Sequence, residues 1–450
     1  MGSRNSRRRR AIIRRRIFVC SVLAVLVLAV IGVTFAIRFV TKGVKPKETK
    51  KNNILSSSVS SKEEVNQVKE PEIISSATVS NTGDIIIHST VLDGAKTSNG
   101  YDFSALFKNT ASYFDKDLNI ANLEITFGGK ESGAFSGYPA FNTPDNLSNV
   151  IKNAGFDLLL TANNHCYDTG FFGLKRTVKV LKAKELDFIG TKELESDSFY
   201  RVKDVNGVKI GMICYTYENA CQTAGRKSIN GNVIASDANS FLNSFSYEHL
   251  DEFYSDAKQN IEVMKNEGAD AIVFYMHWGE EYQLKQNNWQ SKIAQKLCDM
   301  GVDIIIGGHP HVIQPIELLH SSVDEAKTTV CLYSMGNAIS NQRQELMHPE
   351  CTTGHTEDGM IFYYTFDKYS DGKTVLSNID LVPTWVDKYH GGSGYLYSMI
   401  PLKSANAGSK YNLSSDSLSR SKRSYTRTKN TVAKGLTECQ KEIGCDITFK

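Results

Sequence analysis

Three times in this chain a Gly-x-Asp step leads into a short aliphatic run that ends in amide or imidazole side chains. Gly155-Phe156-Asp157 precedes Leu158-Leu159-Leu160 and then Asn163-Asn164-His165. Gly268-Ala269-Asp270 precedes Ala271 to Met276 and then His277. Gly301-Val302-Asp303 precedes Ile304-Ile305-Ile306 and then His309-Pro310-His311. Carboxamide oxygens and imidazole nitrogens are divalent-metal ligands and proton carriers, so their recurrence in one grammatical position predicts a metal centre. Each Gly follows an amphipathic segment and suits a helix C-terminus. Each aliphatic run suits a strand buried on both faces. The repeated unit is therefore helix, turn, buried strand, ligand. It places His165, His277, His309, His311 and Asn164 at the C-terminal edge of an α/β sheet, where such folds bind ligands.

Other short motifs belong to the same edge. Asn81-Thr82-Gly83-Asp84 ends with a hard oxygen ligand and is followed by Ile85-Ile86-Ile87-His88. In Ile120-Ala121-Asn122-Leu123-Glu124, period-two alternation puts Asn122 and Glu124 on one face, and a carboxylate at a strand end can bridge two cations. Gly-Asp is also a common turn pair, and a terminal Glu is often a plain surface residue. The crowding of Asn163, Asn164, His165 and Asp168 into one turn is harder to explain by helix capping alone. Asp168 can fix the tautomer of His165. His277-Trp278-Gly279-Glu280-Glu281-Tyr282 supplies aromatics for a site wall or for core packing. In Gly307-Gly308-His309-Pro310-His311, extended backbone would point the two His to opposite sides, with the glycines turning the chain beneath them. Tyr333-Ser334-Met335-Gly336-Asn337 adds one more polar turn. His249, His320, His348, His355 and His390 lack such context and read as surface or structural residues. There is no Ser-centred elbow, Walker-type loop, dinucleotide fingerprint or C-x-x-C pair. A donor set of Asp, Glu, Asn and His without thiolate suits Mn, Fe, Zn or Mg, and two cations clamping a phosphate ester or similar oxyanion would use it fully.

The elements that carry these residues must fill about 450 positions. The formal charge of +3 is concentrated at the start: residues 1–40 hold nine Arg and no acid, which leaves −6 on the remainder. A mildly acidic body argues against a nucleic-acid partner. Residues 1–16 form a basic segment, and residues 17–37 are uncharged for 21 positions. That run is long enough for a transmembrane helix and too long for an ordinary signal peptide. The positive-inside rule then predicts a single-pass anchor with a cytoplasmic N-terminus and an extracellular main domain. Residues 38–75 read as a polar stalk, 76–390 as the catalytic-type domain, and 391–450 as a polar tail, weakly structured from about 403 to 435. Outside the membrane disulfides are permitted, and Cys439 and Cys445 are close enough in sequence to bridge. Cys221 and Cys351 are loop candidates, whereas Cys214, Cys298 and Cys331 read as buried thiols.

The ordered set from Gly83-Asp84 through Asn122-Leu123-Glu124, Asn163-Asn164-His165-Cys166-Tyr167-Asp168-Thr169-Gly170, His277-Trp278-Gly279-Glu280-Glu281-Tyr282 and His309-Pro310-His311-Val312 to Tyr333-Ser334-Met335-Gly336-Asn337 resembles the CapA family of capsule-synthesis proteins, associated with poly-γ-glutamate. The resemblance covers about residues 76–345. That family is similar to calcineurin-like metallophosphoesterases, whose α/β fold packs two sheets between helices. The resemblance implies one metal on Asp84, Glu124 and His311, and a second on Glu124, Asn164, His277 and His309. It implies His165 as proton donor to the leaving group, oriented by Asp168. Asn122, Asn163, Trp278, Glu280, Tyr282 and Asn337 are then expected around the substrate. The first motif departs from the phosphoesterase Asp-x-His, because His88 stands four residues after Asp84. The expected role is synthesis, release or export of an anionic surface polymer by a metal-dependent hydrolase. The alternative is a non-catalytic polymer-binding or scaffold subunit of a polymer synthase.

Overall fold

Strands of this chain alternate between two hydrophobic faces, and that alternation builds a four-layer sandwich. The computed structural model describes residues 70–221, 226–392 and 394–449. The first sheet contains β1 (Ile73–Ile85), β2 (Leu118–Leu123), β3 (Leu158–Leu160) and β4 (Asp187–Ile189). The second contains β5 (Tyr200–Val205), β6 (Val208–Tyr217), β7 (Ser244–Phe245), β8 (Ala271–His277), β9 (Ile304–Gly308), β10 (Ile316–His320) and β11 (Thr328–Leu332). The chain then returns to the first sheet with β12 (Asn337–Ile339), β13 (Asp358–Tyr369), β14 (Thr374–His390) and β15 (Tyr395–Pro401).

The first sheet runs β15-β14-β13-β1-β2-β3-β4, with β12 beside the end of β1. The second runs β7-β6-β8-β9-β11-β10, with β5 on β6. β1 to β4 are mutually parallel, as are β6, β8, β9 and β11. Parallel pairing brings the C-terminal ends of neighbouring strands to one edge, which is what allows ligands from successive units to meet.

Side chains alternate along each strand. Val273 and Tyr275 of β8 and Ile304 and Ile306 of β9 face Val79, Ile120 and Leu158 of the first sheet in one buried cluster between the sheets. Ile272, Phe274 and Met276 point the other way, onto Phe253 and Ile261 of α4 (Leu250–Asn266) and Ile293 and Leu297 of α5 (Asn288–Asp299). The outer face of the first sheet, with Leu123 and Leu159, is covered by Leu147 and Ile151 of α2 (Asn146–Asn153) and Val178 and Leu181 of α3 (Gly170–Ala183). A short α1 (Ser89–Gly94) follows β1. The strands with aliphatic runs are thus buried on both faces, and Gly155, Gly268 and Gly301 take φ of 99°, 90° and 88° at the turns before them.

The polar tail departs from expectation. Ser415–Ile443 is one helix, α6, of 29 residues. Ser414 caps it by accepting from the Ser417 N–H, and Gly444 ends it with φ of 82°. Its inward stripe is Ser417, Ser421, Ser424, Thr428, Val432, Gly435, Leu436 and Cys439. Val432, Leu436 and Cys439 join the cluster between the sheets. The Cys439–Cys445 bridge is not formed: both thiols are free, because Cys439 is buried on the inner face of α6 and the Cys445 thiol lies beyond the helix end, 3.8 Å from the Ile379 carbonyl. Cys214, Cys298 and Cys331 are buried free thiols, as expected, and Cys221 and Cys351 are also unbridged.

The basic segment, the expected membrane span at 17–37 and the stalk up to residue 69 lie outside the described residues. Among the described residues no helix is long and apolar enough to cross a membrane.

Candidate metal centre

Both sheets contribute to a single buried cluster. Asp84 is the penultimate residue of β1, Glu124 follows β2, and Asn163, Asn164 and His165 follow β3. From the second sheet, His277 ends β8, and His309 and His311 follow β9. All eight side chains are buried.

Ligand atoms of Asp84, Glu124 and His277 lie within 4.8 Å of one another, and so do those of Glu124, His309 and His311. Glu124 belongs to both groups. The grouping differs from the division implied by resemblance, since His311 sits with His309 and His277 sits with Asp84. Contacts nevertheless cross that division: His311 Nδ1 lies 3.2 Å from Asp84 Oδ2, and His277 Nε2 lies 2.8 Å from Asn164 Oδ1. Glu124 Oε1 stands 3.6 Å from His277 Nε2 and 3.7 Å from His311 Nε2.

The turn after β9 explains how two histidines in an x-Pro-x step converge. Extended chain would send them to opposite sides. Instead His309 takes φ of 94° and His311 φ of 55°. Left-handed backbone at two non-glycine residues costs energy and is tolerated where surroundings fix it, often at functional sites. The glycines before them do not make the turn; they allow close approach. A Cβ on Gly308 would stand 2.9 Å from Asp84 Oδ1. The His309 N–H donates to Asp84 Oδ2 at 3.3 Å.

Amides hold the carboxylates. Asn122 donates to Asp84 Oδ1 at 2.7 Å and to Glu124 Oε2 at 3.2 Å. Asn163 donates to Asn122 Oδ1 at 3.2 Å and to the Leu123 carbonyl at 2.8 Å, and accepts from the His165 N–H. These two residues therefore brace the ligands. Asn337 is likewise a brace, donating to the His311 carbonyl at 3.2 Å.

Electrostatics matches a site built for cations. Burial, reinforced by Asp84, Glu281 and Asp168, pushes the Glu124 carboxyl well above its ordinary range. Burial and the neighbouring imidazoles push His277 and His309 well below theirs, which keeps them neutral and ligand-competent. Burial is the largest single influence on His311 and opposes its charge, but the hydrogen bond to Asp84, the Asp84 charge, Glu281 and Asn337 together outweigh it and raise it. Glu124 Oε1 and His309 Nδ1 are buried and have no hydrogen-bond partner. Such orphans are expensive in a protein interior. A divalent cation held by Glu124, His309 and His311 would offer such orphaned donors a partner, so this donor set fits the metal that the sequence predicts.

His165 lies beside this cluster. Its Nδ1 is 2.8 Å from Asp168 Oδ2, and Asp168 also accepts from the Phe141 N–H at 2.7 Å. The Phe141 ring packs edge-on against the imidazole, centroids 4.6 Å apart. A carboxylate only accepts, so Nδ1 carries the proton and Nε2 is left to exchange one.

The expected rim residues divide. Trp278 is fully buried, donates to the Tyr333 carbonyl at 3.0 Å and stacks on Tyr333, so it is core rather than rim. Glu280 is exposed, 3.4 Å from the Asn287 amide. Tyr282 is half-buried with φ of 66°, its ring 6.3 Å from that of His311. Sequence reasoning missed Tyr217, whose ring lies 4.7 Å from that of His309, and Asn230, whose amide nitrogen is 3.3 Å from His165 Nδ1. Asn230-Gly231, which joins the short antiparallel strands Ser228–Ile229 and Asn232–Val233, is a turn signal that could have drawn attention to it.

The family model described as "Bacterial capsule synthesis protein PGA_cap" matches residues 78–342. A relative from Bacillus subtilis (strain 168), "PGA biosynthesis protein CapA", is 30% identical over 234 residues, covering 52% of this chain and 53% of that one. A second, "Capsule biosynthesis protein CapA" from Bacillus anthracis, is 34% identical over 194 residues, covering 43% and 42%. The chain thus spans about half the length of the curated relatives it matches. Among solved structures, TT1561 of Thermus thermophilus aligns with a TM-score of 0.32 at 7% identity, over 67% of this chain and 98% of that one.

Proposed function

The chain belongs to the bacterial capsule synthesis protein family PGA_cap, and from that premise we propose that it serves synthesis, release or export of an anionic surface polymer, poly-γ-glutamate, through a metal-dependent hydrolase site. The observation that carries this reading is the orphaned pair Glu124 Oε1 and His309 Nδ1, set among the further donors Asp84, His277 and His311. In this reading the fold is metallophosphatase-like, and Glu124 would bridge two cations held by Asp84, His277, His309, His311 and the Asn164 amide. Bound cations would supply Lewis acidity and a water nucleophile at neutral pH. The chain's own residues do the rest. Asn122, itself held by Asn163, keeps both carboxylates in place. His165, its Nδ1 proton held by Asp168, takes a second proton at Nε2 and as the imidazolium gives that proton to the leaving group. Tyr217 and Tyr282 flank the histidine turn where polymer or phosphate ester would enter.

A second reading has one observation in its favour. His88, near the position where phosphoesterases carry a ligand, accepts the Asn341 N–H at 3.1 Å instead of facing a cation. In that reading the centre binds polymer or a synthase subunit without cleaving it. We also take residues 17–37 as a membrane anchor with the domain outside. Protease on intact cells then releases a fragment beginning within residues 41–75, and full protection overturns that topology.

The central test is elemental analysis of the purified protein, paired with hydrolysis of a phosphate ester and of poly-γ-glutamate before and after chelation. Bound divalent metal with chelator-sensitive turnover is expected. Metal without turnover of either substrate moves the protein to the binding role, and no metal after supplementation overturns both.

A further inference from the structure

The C-terminal helix reaches the metal centre through a short chain of buried polar contacts, although it lies outside the residues matched by the family model. Arg427 grips Asp358 with its fork, Nε to Oδ2 at 2.7 Å and Nη2 to Oδ1 at 2.6 Å, and also donates to the Gly354 carbonyl at 3.0 Å. Arg420 donates to Glu357 Oε1 at 3.0 Å, and Glu357 Oε2 accepts the Trp385 indole N–H at 2.8 Å. Glu357 and Asp358 are buried. The residue before them, Thr356, presents its carbonyl to the Asn337 amide at 3.0 Å, and the same amide donates to the His311 carbonyl at 3.2 Å. On its other side the turn containing Gly336 bridges Gly359 and accepts the Asp84 N–H at 3.1 Å. One segment, 354–359, is thus clamped by two helix guanidiniums and in turn fixes backbone on either side of Asp84 and His311.

We propose that Arg427, assisted by Arg420, is a positioning residue for the metal centre: the helix holds Asp358 and Glu357 so that Thr356 and Asn337 keep the strained His311 turn in ligand geometry. The physical need is plain. His311 sits at φ of 55°, and a left-handed non-glycine residue relaxes unless neighbours over-determine it. A bidentate guanidinium-carboxylate pair is the strongest such tie available to a side chain, and Lys cannot reproduce its fork. This inference rests on the metal-site reading.

The experiment uses purified full-length protein with Arg427→Ala, Arg427→Lys and, as control, Lys422→Ala at an exposed position of the same helix. Cobalt(II) is the probe, read by titration and by its visible absorption. Partners behind metal ligands typically contribute 10–100-fold in metal affinity. The expected result is a loss of about that size for Arg427→Ala with an altered cobalt spectrum, partial recovery in Arg427→Lys, and wild-type behaviour in the control. Hydrogen exchange on metal-free protein is the second measurement, with faster exchange expected in peptides spanning 309–313 and 334–338. Wild-type cobalt affinity and spectrum in a folded Arg427→Ala protein would overturn the proposal, even if its melting temperature falls. If wild type binds no cobalt, the metal reading fails by itself, and the exchange data still decide the clamp: unchanged exchange at 309–313 overturns it.

Discussion

Asn164 Oδ1 lies 2.8 Å from His277 Nε2, joining the two sheets through residues 113 positions apart. With no cation between them this is a hydrogen bond, the imidazole donating. In the two-cation reading proposed above, both atoms would instead be ligands. Asn164→Ala therefore acts twice. In metal-free protein it strands a buried imidazole N–H, which costs roughly 1–3 kcal/mol. In metal-loaded protein it also removes one ligand. Urea unfolding with and without metal should show a larger loss in the loaded state, and equal losses would remove Asn164 from the ligand set.

Glu124 gives the opposite crossing. Burial, with Asp84 beside it, opposes its charge, so ionising this carboxyl in the metal-free fold is costly. Glu124→Gln keeps the shape and the acceptor for Asn122 while removing that charge. The chelated variant should be more stable than chelated wild type near pH 7.5, by on the order of 1 kcal/mol or more. It should gain nothing from added metal. Calorimetric melting of the four samples tests this, and metal-induced stabilisation of the Gln variant would contradict the bridging role.

Acid should unfold the metal-free protein early. Burial holds His88 down to about 3, with His311 and His165 adding to the effect, and His277 and His309 are also held well below 6.5. An unfolded chain binds protons at these residues from about pH 6.5 downward, while the native state does not. Stability therefore falls as pH drops below about 6.5, and for His88 continues to fall until about pH 3. Glu124 works the other way, since its raised pKa favours the native state in acid and loses that advantage as pH rises above its unfolded value of 4.5. Replacing His88 by Asn, which can accept the Asn341 N–H, should flatten the acid limb. An unchanged slope from pH 6.5 to 4 would show that His88 titrates normally.

Much of the centre was legible because strand ends are local events. A Gly after a helix, an aliphatic run and a polar terminus predict where a side chain emerges, and Asn164, His277, His309 and His311 do converge. Tyr217 escaped because its strand follows the Asn206-Gly207 turn rather than a Gly-x-Asp step. The close approach of His309 and His311 escaped because period-two alternation fails where φ is positive. Trp278 looked like a rim residue from its neighbours, yet it faces Tyr333 on the helix-covered side of the second sheet. The C-terminal helix was hidden by its composition. The first half of its inner stripe is Ser and Thr and only Val432 and Leu436 mark it with aliphatic side chains, so a polar composition masked a periodic inner face.

Gly435 tests how that inner face packs. A Cβ there would stand 1.7 Å from the Ile316 backbone carbonyl oxygen on β10. In an isolated helix Gly→Ala gains about 1 kcal/mol. Here the clash with backbone should outweigh it, giving a net loss of about 1–3 kcal/mol. Asn430→Ala, at an exposed position of the same helix, should be neutral or mildly stabilising. Chemical denaturation of both variants distinguishes packed helix from solvated tail, and a stabilised Gly435→Ala would mean that α6 is not seated on β10.

The decisive comparison for function is His165 against its partner Asp168. His165 is not among the clustered ligands, and its tie to Asp168 at 2.8 Å fixes which ring nitrogen is free. His165→Ala should leave metal content intact and, in the hydrolase reading, lower turnover by about 10²–10⁴-fold, the usual share of general acid–base help. Asp168→Asn keeps the hydrogen bond but can present an N–H to Nδ1, which favours the opposite tautomer and puts the proton on Nε2 in the resting state. Its activity should fall less and its pH profile should shift, whereas a purely structural role for the pair would leave that profile in place. In a strain lacking the gene, surface polymer should then be lost with His165→Ala and reduced with Asp168→Asn. If His165→Ala restores normal polymer with metal still bound, while substitution of Tyr282 beside the histidine turn lowers it, proton transfer is not the protein's contribution and the centre is a binding site.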